Sequence, residues 1–374
     1  MKYTLTDLGN DIRDDVRVFC ERELKELTMS ADRDHLWQED IFAKTAEMGL
    51  GAVFVPEENG GLPLTLQEQA AIIEELAYCD AGIAVSYMAD YLALAPVQMF
   101  GTSALLQQCC DHLLAGSFGA FALTEDQAGS DISGLMTKAV KTGKEYVITG
   151  SKAFVTNGGQ AGFYTVFAKT ENGISAFVVD ADTKGITAGE AERKLGIRNS
   201  RTAEVSFDHV KVPEVSLLGT EGEGKRIAQE TLSRARAFCA AAAVGVARRA
   251  LDIALSRARE REQFGVPLAE RESIQMKLAD MSMKTEAARA CSIDALQRME
   301  MGEDCLIASA SAKCMAADAA VFCADTALQI FGGYGYCEEY PAEKLYRDAR
   351  IFQIFEGTGE ILRELIGRAL VREV

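Results

Sequence analysis

Phe163-Tyr164-Thr165-Val166-Phe167-Ala168-Lys169, then Glu171-Asn172-Gly173, then Ile174-Ser175-Ala176-Phe177-Val178-Val179: two strand-like runs meet at a turn signal. β-Branched and aromatic residues fill both runs, and Asn-Gly suits the left-handed backbone of a tight hairpin. Both runs are short and bounded by turn residues, so this stretch decides that the middle of the chain is β. The same texture continues outward. Phe118 to Leu123 is a short apolar run. Glu145-Tyr146-Val147-Ile148-Thr149 follows a Thr142-Gly143-Lys144 turn, and Thr202 to Phe207 alternates polar and apolar. The connections are too short for crossover helices, which predicts an antiparallel domain over residues 117–220.

On either side the period changes to that of a helix. Leu8, Ile12, Val16, Phe19 and Leu24 recur at helical spacing, and the pattern resumes through Ile72, Ile73 and Leu76 and from Ala81 to Phe100. A breaker-rich loop, Pro56 to Pro63, separates them. Residues 1–116 therefore read as a helical domain. Residues 221–374 return to helix, interrupted only by Pro267 and Pro341. Long helices are expected from Lys225 to Glu262, Glu272 to Met301 and Asp304 to Phe331, and helices of this length make a bundle. Ala240 to Ala243 and Gly245 would let a neighbour approach closely. The class is α+β and multidomain, ordered α, β, α.

Composition narrows the function. The chain has 374 residues, is 48% hydrophobic and 25% charged, and carries a net charge of −17. Such an acidic balance argues against nucleic acid or an anionic membrane as the main partner. Ten cysteines occur without a C-x-x-C, and three histidines leave little for a Cys/His metal site. The cysteines read as reduced thiols in a cytosol. The N-terminus has no basic-then-apolar leader, and Asp7, Asp11, Asp14 and Asp15 argue against a transit peptide. No run approaches eighteen apolar residues, so no membrane span is expected. A Rossmann G-x-G-x-x-G is absent. Gly219 to Arg226 nearly matches a phosphate loop, but Arg226 stands where Ser or Thr would hold magnesium, and Glu221 and Glu223 would repel phosphate. It reads as a domain linker.

Near the end comes Phe352-Gln353-Ile354-Phe355-Glu356-Gly357-Thr358-Gly359-Glu360. One acid sits between an apolar aromatic run and a Gly-Thr-Gly turn. Desolvation there would raise its pKa into the range of a general base, and the glycines would admit a bound oxygen or phosphate close to backbone N–H groups. The plainer alternative is an acid that caps the next helix.

Four blocks in order now resemble one family. Phe355-Glu356-Gly357-Thr358 resembles the Y-E-G-T signature of the acyl-CoA dehydrogenases. Ala122-Leu123-Thr124-Glu125-Asp126-Gln127-Ala128-Gly129-Ser130-Asp131 is similar to their T-E-P-G-A-G-S-D block. Arg261 to Gly265 matches R-x-x-F-G, and Gln329 to Tyr336 matches Q-x-x-G-G-x-G-Y. The resemblance covers essentially the whole chain and is nearest the short-chain (butyryl-CoA) branch. It implies a helical domain, a β-barrel-like domain and a C-terminal four-helix bundle, assembled as a homotetramer. It implies FAD as cofactor, an acyl-CoA substrate in fatty acid metabolism, and an electron-transfer flavoprotein as partner. Glu356 would take the α-proton, with its own N–H and a flavin hydroxyl polarising the thioester carbonyl. Phe121, Leu123, Thr124, Ser130, Phe154 and Thr156 would meet the flavin on one side. Arg261, Phe264, Gln329, Gly332 and Gly333 would reach it across a subunit boundary, and Thr358 and Glu360 would line the near side. Ser130, Arg236 and Gly357 would contact the CoA ester.

Departures from the family touch cofactor packing and CoA grip. Asp126-Gln127 replaces Pro-Gly, Phe154 replaces a tryptophan, Ser233 replaces an acid, and Arg271-Glu272-Ser273-Ile274-Gln275 replaces L-Q-x-I-Q. Asp90 falls on a helix that forms part of the acyl pocket in relatives. A second acid there would suit a cyclic or polar acyl group; the plainer alternative is a capping or water-facing aspartate. Two rivals remain open: an enoyl-CoA reductase running the reverse reaction in an anaerobe's cytoplasm, and a silent relative that binds CoA esters.

Overall fold

The computed structural model describes residues 2–34 and 39–372. Six helices lead: α1 Asp7–Phe19, α2 Lys25–Asp34, α3 Glu39–Glu47, α4 Leu66–Cys79, α5 Ala81–Phe100 and α6 Ser103–Leu114. A π turn, Cys20–Leu24, joins α1 to α2 without a break. Local chemistry sets the starts. Thr65 and Glu68 form a capping box at α4, and Asp80 accepts from Ile83 N at 3.0 Å to begin α5. Helix α5 is apolar around most of its circumference and is buried accordingly.

The middle sheet contains β1 Phe118–Ala122, β2 Lys138–Thr142, β3 Glu145–Thr156, β4 Ala161–Thr170, β5 Gly173–Asp180, β6 Ile186–Ala188, β7 Thr202–Pro213 and β8 Leu217–Leu218. Their order is β6-β7-β3-β2-β4-β5-β8, with β1 beside β4. The opening hairpin is β4–β5, in register from Phe163↔Asp180 to Thr170↔Gly173. The expectation of a purely antiparallel sheet needs correction. β1 runs parallel to β4, and β2 touches β4 in parallel at Lys138↔Lys169. The chain between β1 and β4 contains the whole β2–β3 hairpin, which returns it to the starting edge without a crossover helix.

The last part holds α7 Gly224–Glu260, a small ribbon of β9 Glu262–Gln263 and β10 Val266–Pro267, then α8 Glu272–Glu300, α9 Leu306–Phe331, α10 Pro341–Ala349 and α11 Gly359–Arg372. Helices α7, α8, α9 and α11 form the bundle. The small-residue stretch works as its composition suggests. A Cβ on Gly245 would lie 2.4 Å from Glu74 O and 2.9 Å from Ala77 Cβ, so α4 packs directly on α7. Ala81–Phe100 and Leu306–Tyr336 are each long and apolar enough to cross a membrane, but most of both windows lies buried inside the fold (78% and 56%).

The Gly219–Arg226 linker is occupied by its own acids. Glu223 accepts from Thr220 N at 2.9 Å, and Glu221 takes Asn172 Nδ2 at 2.6 Å and the Tyr146 hydroxyl.

Candidate active site

The chain leaves α10 through a 3-10 turn, Arg350–Gln353, and then bends sharply. Glu356 has φ 52° and Gly357 φ 96°. A non-glycine residue in the left-handed region persists only where its surroundings impose it. Here two cations impose it. Arg236 of α7 donates Nε–H to the Glu356 carbonyl at 3.1 Å, and Lys313 of α9 donates to the Gly357 carbonyl at 2.6 Å. Both cations are buried, at 9% and 1% exposure. Phe352 is fully buried and packs on Phe355, ring centroids 5.4 Å apart.

This turn leaves the Glu356 carboxylate in an unusual state. The residue is half-buried, yet Oε2 is enclosed and without a hydrogen-bond partner. Burial lifts the carboxyl to about 7, against the pull of Lys313 and Arg236. No acceptor among the described residues takes the Glu356 N–H. A proton acceptor tuned to neutrality and a free donor therefore sit on one residue. Thr358 caps α11, its hydroxyl accepting from Ile361 N at 3.3 Å. Thr358 and the exposed Glu360 line a recess of about 150 Å³ with Lys313, Arg350 and Arg363.

The β domain presents a wall. Ala153 N donates to Thr124 O at 2.9 Å, which fixes the segment after β1 to β3. A buried ion pair, Lys152 Nζ to Glu125 Oε1 at 2.7 Å, reinforces it, and Glu125 also accepts from Met136 N and Thr137 N. The turn tolerates Asp126-Gln127 in place of Pro-Gly because Glu125 and Ala128 exchange both backbone hydrogen bonds at 3.0 Å. Just beyond, the register of β3 against β7 slips between Lys152 and Val155, and Phe154 takes φ 54°. The bulge turns this ring outward to 65% exposure. The Thr124 and Thr156 hydroxyls make no hydrogen bond among the described residues. Phe121 is half-buried against Phe167, Leu123 is buried, and Ser130 is exposed on the turn. An exposed flat ring beside two free hydroxyls suits a large planar heterocycle with polar edges, so the residues present fit a flavin.

The remaining expected cofactor contacts lie elsewhere. Arg261 ends α7 and is exposed. The β9–β10 ribbon turns through Phe264 (φ 56°) and Gly265 (φ 79°), a primed hairpin that holds Phe264 at 92% exposure. Arg271, a departure from the family pattern, braces it by donating to Gln263 O at 3.1 Å and stacking over Phe264 at 5.4 Å. Gln329, Gly332 and Gly333 are also exposed, with open space where either glycine's Cβ would be. Arg257 over Phe331 and Tyr334, at 5.5 and 5.0 Å, brings this end of α9 beside the end of α7. Arg236 and Arg261 are separated by 25 residues of one unbroken helix, about 37 Å at 1.5 Å per residue. Arg236 and Lys313 thus meet at the Glu356–Gly357 turn, while Arg261 lies well along α7 from them.

Asp90 lies on α5 behind the β wall, next to Tyr91, which packs on Phe238 of α7. Asp90 is 1% exposed and its Oδ1 accepts from Gly119 N at 2.8 Å, tying α5 to β1. Burial pushes its carboxyl well above the usual range, against that hydrogen bond. It is neither water-facing nor a cap, and the charges acting on Glu356 are Lys313 and Arg236. Sequence reasoning missed Lys313 and the Glu125–Lys152 pair. The signal for Lys313 was a lone cation within the Ala-rich run Ser309-Ala310-Ser311-Ala312-Lys313-Cys314-Met315-Ala316-Ala317. A charge there is buried unless the helix face is solvated.

Comparison with known proteins agrees along the whole chain. Residues 6–117, 120–210 and 222–371 match the family models for the acyl-CoA dehydrogenase N-terminal, middle and C-terminal domains. The solved butyryl-CoA dehydrogenase of Megasphaera elsdenii is 39% identical, covering 99% of this chain and 100% of that one, with a TM-score of 0.95. A chain solved in work on the electron-transferring flavoprotein of Acidaminococcus fermentans and flavin-based electron bifurcation is 40% identical over 100% of both, with a TM-score of 0.96. The acryloyl-CoA reductase (NADH) of Anaerotignum propionicum is 38% identical over 100% of this chain and 96% of its own length.

Proposed function

The chain belongs to the acyl-CoA dehydrogenase family, and on that premise we propose that Glu356 is its catalytic base and that two copies of the chain together form each cofactor site. It is an FAD-dependent oxidoreductase that converts an acyl-CoA thioester to a trans-2-enoyl-CoA and passes electrons to an electron-transfer flavoprotein. One observation carries the assignment of the base: an enclosed, unpartnered carboxylate oxygen with a pKa of about 7, held on a strained turn by two buried cations.

The chemistry follows from that turn. The α-proton of a thioester is weakly acidic, so removing it requires a base and a donor for the charge that develops on the carbonyl oxygen. Glu356 supplies both, the carboxylate for the proton and its free N–H for the oxygen. Bound FAD supplies the hydride acceptor for the β-hydrogen. Phe154, Thr124 and Thr156 would hold its ring system, and Thr358 and Glu360 would line the near side. Arg236 and Gly357 keep the turn in place and border the CoA ester, and Ser130 lies exposed where a phosphate could meet it. Arg261, Phe264, Gln329, Gly332 and Gly333 lie toward the far end of the bundle, with Arg261 about 37 Å along α7 from Arg236. A second copy would bring them, and a homotetramer built as a dimer of dimers satisfies every copy in this way. The bacterial relatives agree with a cytoplasmic enzyme.

The reductase direction is the second reading, favoured by the acryloyl-CoA reductase relative. The test of the base is Glu356→Gln. It should retain FAD and bind butyryl-CoA, yet lose anaerobic flavin bleaching. Bleaching at the wild-type rate would move the base elsewhere.

A further inference from the structure

The two carbonyls of the Glu356–Gly357 turn are each held by a different helix. Arg236 on α7 takes the first and Lys313 on α9 the second, at 3.1 and 2.6 Å. Arg236 stood among the expected contacts; Lys313 did not. Its burial is costly: an ammonium removed from water loses several kcal/mol unless it is compensated. No carboxylate lies in ion-pair contact with it among the described residues, and a carbonyl is its only hydrogen-bond partner there. The anion it does act on is Glu356. A lysine kept in this position for packing alone would be better replaced by an apolar residue of similar volume.

We propose, resting on Glu356 as the base, that Lys313 is a positioning residue. It anchors the left-handed turn through the Gly357 carbonyl and provides the fixed positive charge that keeps the Glu356 carboxylate available at neutral pH. The two roles separate chemically. Anchoring needs any donor at the end of the side chain; availability of the carboxylate needs the charge.

The sign is fixed. Lys313 lowers the Glu356 pKa, so removing the charge raises it above about 7. Loss of a neighbouring opposite charge typically moves a carboxyl by about one unit or more. A shift of one unit would leave about a tenth of the carboxyls ionised at pH 7 instead of half, roughly a five-fold loss of rate that high pH recovers.

The experiment is anaerobic single-turnover flavin reduction by butyryl-CoA across pH, with the FAD-loaded enzyme and the variants Lys313→Gln and Lys313→Arg. Lys313→Gln retains a donor and should move the acid limb of the rate profile up by about one unit. Lys313→Arg should restore the limb. A merely structural lysine would lower the rate equally at every pH, and that outcome, or an unmoved limb at the wild-type rate, overturns the proposal. Glu356→Gln, run alongside, should abolish reduction at all pH. If it does not, the assignment of the base has failed, and that failure is distinct from failure of Lys313.

Discussion

If burial rather than a neighbouring acid tunes Glu356, the fold is under strain at high pH. The carboxyl rises from an ordinary 4.5 to about 7 in the folded state. Each unit is worth about 1.4 kcal/mol, so the shift amounts to about 3 kcal/mol of coupling between protonation and folding. The folded protein holds this proton more tightly than the unfolded chain does. Its stabilising contribution is therefore fully present below pH 4.5 and is lost as pH rises through about 7. Glu356→Gln cannot ionise and escapes that loss. Relative to wild type it should gain up to about 3 kcal/mol between pH 5 and pH 8, whatever constant offset the amide introduces. For a chain of this size that is a rise of a few degrees in the melting temperature difference. The assay is paired thermal unfolding of the FAD-loaded wild type and variant at several pH values, followed by flavin fluorescence and far-UV circular dichroism. A melting difference that stays flat from pH 5 to pH 8 would refute the reasoning, because the carboxylate would then be as well solvated folded as unfolded.

Three further outcomes are expected. Glu356→Gln and Arg261→Ala should each be inactive alone, but co-expressed copies should regain part of the activity, since a mixed pair contains one site with an intact base and an intact partner arginine; no recovery in turnover of mixed oligomers would place Arg261 in the same copy's site. Lys152→Met strands Glu125 as a buried unpaired charge and should cost about 3–5 kcal/mol, read as a lower melting temperature and easier loss of FAD from the Thr124–Phe154 wall. Gly245→Ala places a Cβ 2.4 Å from Glu74 O and should cost about 1–3 kcal/mol in melting experiments without moving the pH profile.

Much of the fold was legible because its signals are local. The Asn172-Gly173 turn set the β4–β5 hairpin, and the Ala-rich stretch around Gly245 pointed to a closely packed neighbour, though not to α4 as that neighbour. The parallel pairing of β1 with β4 was not legible, since it depends on where a long connection returns and not on any residue in either strand. The site divides in the same way. Glu356 carries a local signature in its flanking aromatics and glycines. Lys313 lies 43 positions earlier and becomes part of the turn only when α9 packs beside α11. A flavin contact at Phe154 was expected from resemblance; the outward turn of its ring, a bulge with φ 54°, is a property of the β3–β7 register and was not legible.

A base at Glu356 would serve either direction of the reaction. A carboxyl at about 7 is half protonated near neutral pH, so it can take the α-proton from an acyl-CoA or return one to an enoyl-CoA. The Lys313 and Arg236 contacts are to backbone carbonyls. The butyryl-CoA dehydrogenase and acryloyl-CoA reductase relatives are 39% and 38% identical to the chain. Measured with one acyl-CoA/enoyl-CoA pair, the acid limb of dehydrogenation and the basic limb of reduction should report the same group and move together in Lys313→Gln. Limbs that move apart would mean that a second titrating residue, not Glu356, donates the proton in the reverse reaction.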